Sequence, residues 1–292
     1  MLSYGLAPPN YRLPDAAHIG PVHLQVSDLA RSIAYYENVL GMRVLRQLGG
    51  DATLGADVDD RPLIHLRERA GARPVPRAGR FGLYHFAILL PDRAALGRFL
   101  RHLASIDEPF GASDHLVSEA LYLHDPDGLG IEVYADRPRD TWRIDERRQL
   151  HMTVDPLDVD DIIASAGGVA WTGLPAGTVM GHVHLHVGDL AAAEKFFHAG
   201  LGFDKMVWEF RGALFLSAGG YHHHLATNTW SRGPSAADDE ARLLAWDLVV
   251  PGRDDADAVA RSLQEHGGSP SMIDNGWIVK DPWGTPVRVV VG

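Results

Sequence analysis

The sequence predicts an α+β protein made of four copies of one unit, each a strand, a helix and then about three strands. Two observations predict it. Four stretches of the chain align with one another without gaps, and each is followed by a glycine-containing region and further strand-like segments. A chain of 292 residues with an ordinary globular composition is long enough for about two domains.

The four aligned stretches share one pattern and read "PVHLQVSDLARSIAYY" from Pro21, "HFAILLPDRAALGRFL" from His85, "HVHLHVGDLAAAEKFF" from His182 and "AWDLVVPGRDDADAVA" from Ala245. Each begins with alternating residues, which predict a strand, passes a turn residue and continues as an amphipathic helix. The glycine regions that follow are "LGMRVL", "GASDHL", "LGFDKM" and "HGGSPS". We call these units modules one to four.

An interruption separates modules two and three. Residues 137–180 are rich in charge at first and in glycine and proline later, which is typical of a long connector. The predicted organisation is a first domain at 17–136 with modules one and two, this connector, and a second domain at 181–292 with modules three and four.

Composition limits the classes of function. A formal net charge of −11 argues against a nucleic-acid surface. The chain has no cysteine, so a metal would have to be bound by nitrogen and oxygen atoms. The N-terminal stretch lacks the pattern of a signal peptide, and no apolar run is long enough to predict a membrane span, so we expect a cytoplasmic protein.

The repeated unit resembles the βαβββ module of the vicinal oxygen chelate superfamily, which includes glyoxalases and extradiol dioxygenases. The resemblance covers nearly the whole chain outside the connector and the first fifteen or so residues. It implies that modules pair around a cleft. It also implies that the first and last strands of each module turn one residue apiece toward that cleft, so that a pair of modules has four corners.

The corners divide the modules into two kinds. Modules one and four place no set of metal ligands there, since their predicted corners are Pro21, Ile64, Ala245 and Arg288. Modules two and three carry four polar corners, His85, Glu132, His182 and His223. The resemblance therefore predicts one metal cleft, formed by modules two and three, and leaves modules one and four to pair with each other.

Glu132 lies between Ile131 and Val133 in an apolar strand, where a carboxylate is costly unless it is paired or binds a metal. With His85 and His182 it completes a set of two histidines and one carboxylate, the arrangement that holds non-heme Fe(II) on one face. The predicted metal is Fe(II), with Mn(II) as an alternative. His184 is a neighbour of this site, or replaces His182 if the strand register differs.

The stretch before Glu132 adds a longer motif. Extradiol dioxygenases carry a signature of spaced histidine, tyrosine, acidic, proline, glycine and glutamate residues. This chain matches it at His115, Leu121, Tyr122, Asp125, Pro126, Gly128 and Glu132. Ser113 departs from the glycine, asparagine, threonine or aliphatic residue usual in the family. Asp125 and Asp127 also fit a simple tight turn, and His124 fits a turn or surface position.

The resemblance implies an Fe(II)-dependent extradiol dioxygenase similar to the bacterial catechol 2,3-dioxygenases. Its substrates would be a small aromatic diol and O₂, and its product a 2-hydroxymuconate semialdehyde or a substituted equivalent. His223 is the candidate acid/base, with His222 and His224 structural, and His115 and Tyr122 would hydrogen-bond the substrate or an intermediate. A homo-oligomer is possible, and no nucleic acid or membrane partner is expected.

Three alternatives remain open at this point. A glyoxalase-like isomerase or thiol transferase would use Zn, Ni or Mn and usually more carboxylate corners. A ring-cleaving dioxygenase of hydroquinones would keep the same triad with a different pocket. A metal-free binding protein of this fold would have lost its corners, as modules one and four have.

Overall fold

The computed structural model describes residues 4–56, 60–76 and 78–292, and in this part of the chain the strands form two eight-stranded sheets. The inner sheet comes from the middle of the chain: β5 Gly82–Leu89, β6 Gly111–Asp114, β7 Ser118–His124, β8 Gly130–Asp136, β9 Val179–His186, β10 Asp204–Val207, β11 Ala213–Ser217 and β12 Leu225–Asn228. The outer sheet comes from the two ends: β1 His18–Val26, β2 Arg43–Leu48, β3 Asp51–Gly55, β4 Pro62–Glu68, β13 Arg242–Val250, β14 Ser271–Ile273, β15 Gly276–Lys280 and β16 Pro286–Val291.

The strand orders give the pairing of the modules. The inner sheet runs β10-β11-β12-β9-β5-β8-β7-β6, and the outer sheet runs β14-β15-β16-β13-β1-β4-β3-β2. Modules three and two therefore share one sheet, and modules four and one share the other. The predicted α+β fold of four modules, paired two with three and one with four, is confirmed.

Each module has its predicted helix, namely α1 Leu29–Asn38, α2 Arg93–Ser105, α4 Leu190–Ala193 continued by a π-helical stretch Glu194–Gly200, and α5 Arg253–Glu265. In the first three modules an aspartate caps the helix, because the side chains of Asp28, Asp92 and Asp189 accept hydrogen bonds from backbone N–H groups three residues later. Gly252 stands at this position in module four and makes no side-chain cap. None of the helices in the described residues is long and apolar enough to span a bilayer.

Alternation along the strands separates core from cleft. In β5, Phe86 and Ile88 are completely buried in the main hydrophobic core between sheet and helices. Ala87 points the other way, into a small cluster with Ala120 and Tyr134. The concave face of the inner sheet is therefore available for functional side chains.

The segment between modules two and three has more structure than its composition indicates. It contains a short 3₁₀ turn Arg139–Thr141 and helix α3 Val159–Ser165, which packs against α2 at Gly97. A Cβ atom on Gly97 would lie 2.3 Å from the carbonyl oxygen of Ile162, so only glycine permits this close approach. Trp142, Leu150 and Met152 are buried against module three, in a cluster with residues such as Phe215.

Two details of the predicted strand register are wrong. Ile64 is completely buried and pairs with Val22 in the core layer. The residue of β4 that occupies the last-strand corner of module one is His65, which pairs with His23. A shift of one residue exchanges the two faces of a strand, which is why an error of one position moved this corner.

The second error concerns the histidine run after Tyr221. Residues 221–224 form a bend, and β12 begins only at Leu225. The rule that successive strand residues point to opposite faces therefore does not apply to His222 and His223, whose ring centroids lie 4.6 Å apart. The last-strand position of module three that pairs with His184 is Ala226.

The turn "DPDG" joins the two sheets. Its predicted tight geometry is present, because Asp125 Oδ1 accepts hydrogen bonds from the backbone N–H groups of Asp127 and Leu129. Asp127 has a further role. Its buried carboxylate accepts from Ser27 N at 2.7 Å and from Ser27 Oγ at 2.6 Å, and it pairs with Arg31 of module one.

We expect Asp127→Ala to lower the free energy of unfolding by about 3 kcal/mol, since it removes a buried charged acceptor and leaves the two part-buried donors of Ser27 without their partner. Arg31→Ala removes only a half-exposed partner and should cost less than about 1 kcal/mol. Urea unfolding of both variants measures the difference. Equal effects would show that the turn does not stabilise the contact between the sheets.

Candidate metal centre

Three neighbouring strands of the inner sheet position the predicted metal ligands. Ala87 of β5 pairs with Glu132 of β8 on one side and with His182 of β9 on the other. His85 precedes Ala87 by two residues, so it points to the same face. The small side chain of Ala87 leaves space between the three longer ones, and all three are buried, at 5% exposure or less.

The ligand atoms form a nearly equilateral triangle. His85 Nε2 lies 3.0 Å from Glu132 Oε2, His182 Nε2 lies 3.3 Å from the same oxygen, and the two Nε2 atoms are 3.4 Å apart. Ligand atoms about 2.1 Å from one ion and at right angles to one another lie about 3 Å apart. The three residues therefore fit one face of a six-coordinate metal, with the opposite face open.

The charges at this triangle fit a cation. Burial raises the pKa of Glu132, but the charges and hydrogen bonds of His182 and His85 outweigh it and hold this pKa well below its usual range. Burial lowers the pKa of His182 to about 4. A neutral imidazole beside an ionised carboxylate is the protonation state in which both bind metals. His182 Nδ1, on the far side of its ring, is buried and has no hydrogen-bond partner among the residues that the structure describes.

His184 is held away from the triangle. Asn228, which is completely buried, accepts from His186 Nδ1 at 2.6 Å and directs its amide nitrogen to His184 Nε2 at 2.9 Å. His184 lines the space beside the triangle, and its ring centroid is 4.9 Å from that of His85. In the described residues the only group whose atoms converge as metal ligands is His85, Glu132 and His182.

A cavity of about 270 Å³ opens beside the triangle. Its apolar wall is formed by Tyr84, Met152, Val154, Phe210, Phe215 and Trp230. Its polar groups are those of Ser113, His115, Tyr122, Thr153, His184 and His223, together with the ligands His85 and Glu132. Tyr84 and Trp230 are partly exposed and stand at its mouth. A wider cleft of about 730 Å³ lies between the two sheets, but none of the three ligands lines it.

His115 and Tyr122 lie in the cavity as a hydrogen-bonded pair. The carbonyl oxygen of Thr153 is 2.6 Å from His115 Nδ1, so this nitrogen carries a proton and donates it. On the other side of the ring, His115 Nε2 lies 2.6 Å from the hydroxyl oxygen of Tyr122. Burial and the charge of Glu132 raise the pKa of Tyr122 well above its usual value, so the phenol remains a donor.

His223 lines the same cavity from the bend before β12. Its ring centroid lies 4.1 Å from that of His182. Burial, followed by the charges of His182 and His222, lowers the pKa of His223 well below its ordinary value. His223 is therefore neutral at neutral pH.

The model of the Glyoxalase/Bleomycin resistance protein/Dioxygenase superfamily matches residues 17–133 and 179–289. The chain belongs to this superfamily. It is 44% identical over 269 residues to the catechol-2,3-dioxygenase of Bacillus subtilis (strain 168), an alignment that covers 91% of this chain and 94% of that protein.

Solved structures of the superfamily show the same fold at low sequence identity. A putative dioxygenase from Bacillus subtilis subsp. subtilis str. 168 superposes with a TM-score of 0.68 at 15% identity, covering 96% of this chain and 86% of that one. Glyoxalase I from Zea mays gives a TM-score of 0.55 at 18% identity, with coverages of 94% and 92%.

In the outer sheet, different side chains occupy the positions that correspond to the candidate metal ligands of the inner sheet. Arg288, at the position of Glu132, donates from Nη1 to His23 Nε2 at 2.7 Å and to Asp247 Oδ1 at 3.1 Å. His65 stacks on His23, and burial lowers the pKa of His65 to about 4. A guanidinium thus supplies positive charge in this cleft, at the place where the inner sheet has the triangle of candidate metal ligands.

Several residues of the cavity beside the candidate metal ligands were not predicted from the sequence. Met152, Thr153 and Val154 come from the connector, whose composition has no periodicity that would place it in a cavity wall. Asn228 ends the strand that follows the histidine bend and orients His184. For His184, the signal in the sequence was the alternation of "HVHLHV", which places it on the same face as His182.

Proposed function

We propose that this protein is an Fe(II)-dependent extradiol dioxygenase that cleaves a catechol next to its two hydroxyl groups. The observation that carries the proposal is the triangle of His85, Glu132 and His182 at the end of an aromatic-lined cavity. The name of the Bacillus subtilis relative, a catechol-2,3-dioxygenase, supports the same reaction. Mn(II) is the alternative metal, since the ligand set suits both ions.

The size of the cavity supports a substrate with one ring. A cavity of about 150 Å³ is enough to bind benzene, and about 270 Å³ leaves room for two hydroxyl groups, a small substituent and O₂. Phe215 and Trp230 give the ring apolar walls. Cleavage of catechol itself would insert both atoms of O₂ and yield 2-hydroxymuconate semialdehyde.

A bound Fe(II) would hold both reactants in one coordination sphere and stabilise developing negative charge. The remaining tasks belong to the chain. His223, neutral and facing the cavity, takes a proton from one hydroxyl of the catechol and later returns one to oxygen. His115 and Tyr122, whose phenol stays protonated, form hydrogen bonds to the oxygen atoms of the substrate or of an intermediate.

The test is anaerobic reconstitution with Fe(II), followed by O₂ uptake and ultraviolet–visible spectra with a series of catechols and hydroquinones. We expect one iron per chain and a yellow ring-opened product with a single-ring catechol. If O₂ is taken up with hydroquinones and with none of the catechols, the substrate class is hydroquinones instead of catechols. Bound iron without turnover of any aromatic diol would overturn the proposal.

A further inference from the structure

A chain of hydrogen bonds leads away from His223 on the side opposite the cavity. His223 Nδ1 lies 2.7 Å from His222 Nδ1, and His222 Nε2 lies 3.0 Å from Asp136 Oδ1. The same carboxylate oxygen accepts from the hydroxyl of Tyr221 at 3.0 Å, and that hydroxyl lies 2.7 Å from the hydroxyl of Tyr134. The two histidines are buried, whereas the side chain of Asp136 is 30% exposed.

The direction of each bond follows from the donors available. A carboxylate only accepts, so His222 must carry its proton on Nε2, and Tyr221 must donate its own to Asp136. The hydroxyl of Tyr134 then donates to the oxygen of Tyr221. When the proton of the His222 imidazole lies on Nε2, toward Asp136, its Nδ1 atom presents a lone pair, so the hydrogen of the bond between the two Nδ1 atoms belongs to His223.

We propose that Asp136 and His222 are positioning residues, which fix His223 as the tautomer with its proton on Nδ1 and an unprotonated Nε2. Nε2 lies across the ring from the bond to His222. This inference rests on the proposed function, in which His223 is the base that receives a proton from the substrate. A base of this kind needs its lone pair on the free nitrogen, and the opposite tautomer would present an N–H group instead.

The close packing around this chain restricts it to one arrangement. A Cβ atom on Gly181 would lie 1.9 Å from the hydroxyl oxygen of Tyr134. Only a glycine at this position, next to His182, leaves room for that hydroxyl. The rings of Tyr221 and His222 pack against each other, with centroids 4.0 Å apart and planes tilted by 35°. His222 therefore has little freedom to rotate away from Asp136.

The first test measures the tautomer without any activity. Long-range ¹H–¹⁵N NMR spectra of the full metal-free chain, labelled with ¹⁵N-histidine, distinguish a protonated nitrogen from a bare one, and loss of signals in His223→Gln assigns the residue. We expect Nδ1 of His223 to be protonated and Nε2 to be bare. A proton on Nε2 would overturn the inference, whatever reaction the protein catalyses.

The second test compares two replacements of His222 in the Fe(II)-loaded enzyme. His222→Phe keeps a ring but has no acceptor, so kcat should fall about 10- to 100-fold with little change in KM, the size of effect typical for partners that orient a functional histidine. His222→Asn places an amide oxygen near the position of Nδ1 and should be at least about tenfold faster than His222→Phe. Iron content and circular dichroism check folding.

The results separate the two proposals. Equal kcat for His222→Phe, His222→Asn and the parent chain would overturn the positioning role. An inactive parent chain would instead count against the proposed function, and the NMR measurement would still decide the tautomer. If His222→Phe fails to fold, the spectrum of the parent chain and the rate of His222→Asn relative to it remain informative, since a loss above about 100-fold in His222→Asn contradicts the inference.

Discussion

Purified Glu132→Ala is expected to contain almost no iron. The substitution removes the only anion of the triangle and leaves His85 and His182 as two neutral ligands on an open corner. Loss of a residue that merely orients a ligand weakens metal binding about 10- to 100-fold, so loss of the carboxylate ligand should cost more than about 100-fold. Metal analysis after equilibration with Fe(II) under anaerobic conditions measures the effect.

Glu119→Gln is the matched control. Glu119 is also a buried carboxylate of the inner sheet, but it pairs with Arg93 and Arg137 away from the cavity. This variant should keep one iron per folded chain, even if it unfolds at a lower urea concentration. Near-stoichiometric iron in Glu132→Ala would show that Glu132 is not a ligand.

His223→Gln is expected to keep its iron and to turn over about 10²- to 10⁴-fold more slowly, the range typical for loss of a general acid or base. Glutamine fills much of the same space but does not accept a proton at neutral pH. The measurements are iron content, kcat and KM with the best diol found for the parent chain.

His224→Gln serves as its control, because His224 lies in the same bend and bonds through Nδ1 to Ser217 and to the backbone of Ala218. Its kcat should stay within about threefold of the parent value. If His223→Gln loses iron along with activity, His223 is a metal ligand. If it retains both, the proton transfer belongs to another residue of the cavity.

Much of the fold could be predicted because the four modules repeat one pattern. Alternation at the start of each stretch predicted a strand, and a turn residue marked where each helix begins; in three modules the structure has a capping aspartate there. The pairing of modules two and three followed from chemistry, because His85, Glu132 and His182 are distributed between them. The signal that indicated a metal site was Glu132, because a carboxylate in an apolar strand is costly unless it is paired or binds a metal.

The remainder depends on contacts that a local pattern does not contain. Whether Ile64 or His65 faces the cleft depends on the register of β4, which is set by its pairing with β1. The histidine run reads as part of a strand, but its bend places His222 behind His223 and against Asp136. The cavity wall at Met152 comes from a segment without periodicity, where only tertiary packing determines the position of the chain.

The order of the strands also bears on how the protein is made on the ribosome. The inner sheet is contiguous, from Gly82 to Asn228, whereas β1 of the outer sheet must wait for β13, and His23 meets Asp247 across 224 residues. During synthesis the edge of β1 that pairs with β13 therefore remains unpaired until β13 has been translated, which is the interval when such edges aggregate. The half of the protein that carries the candidate metal ligands is able to fold first, and module four later completes the half that carries none.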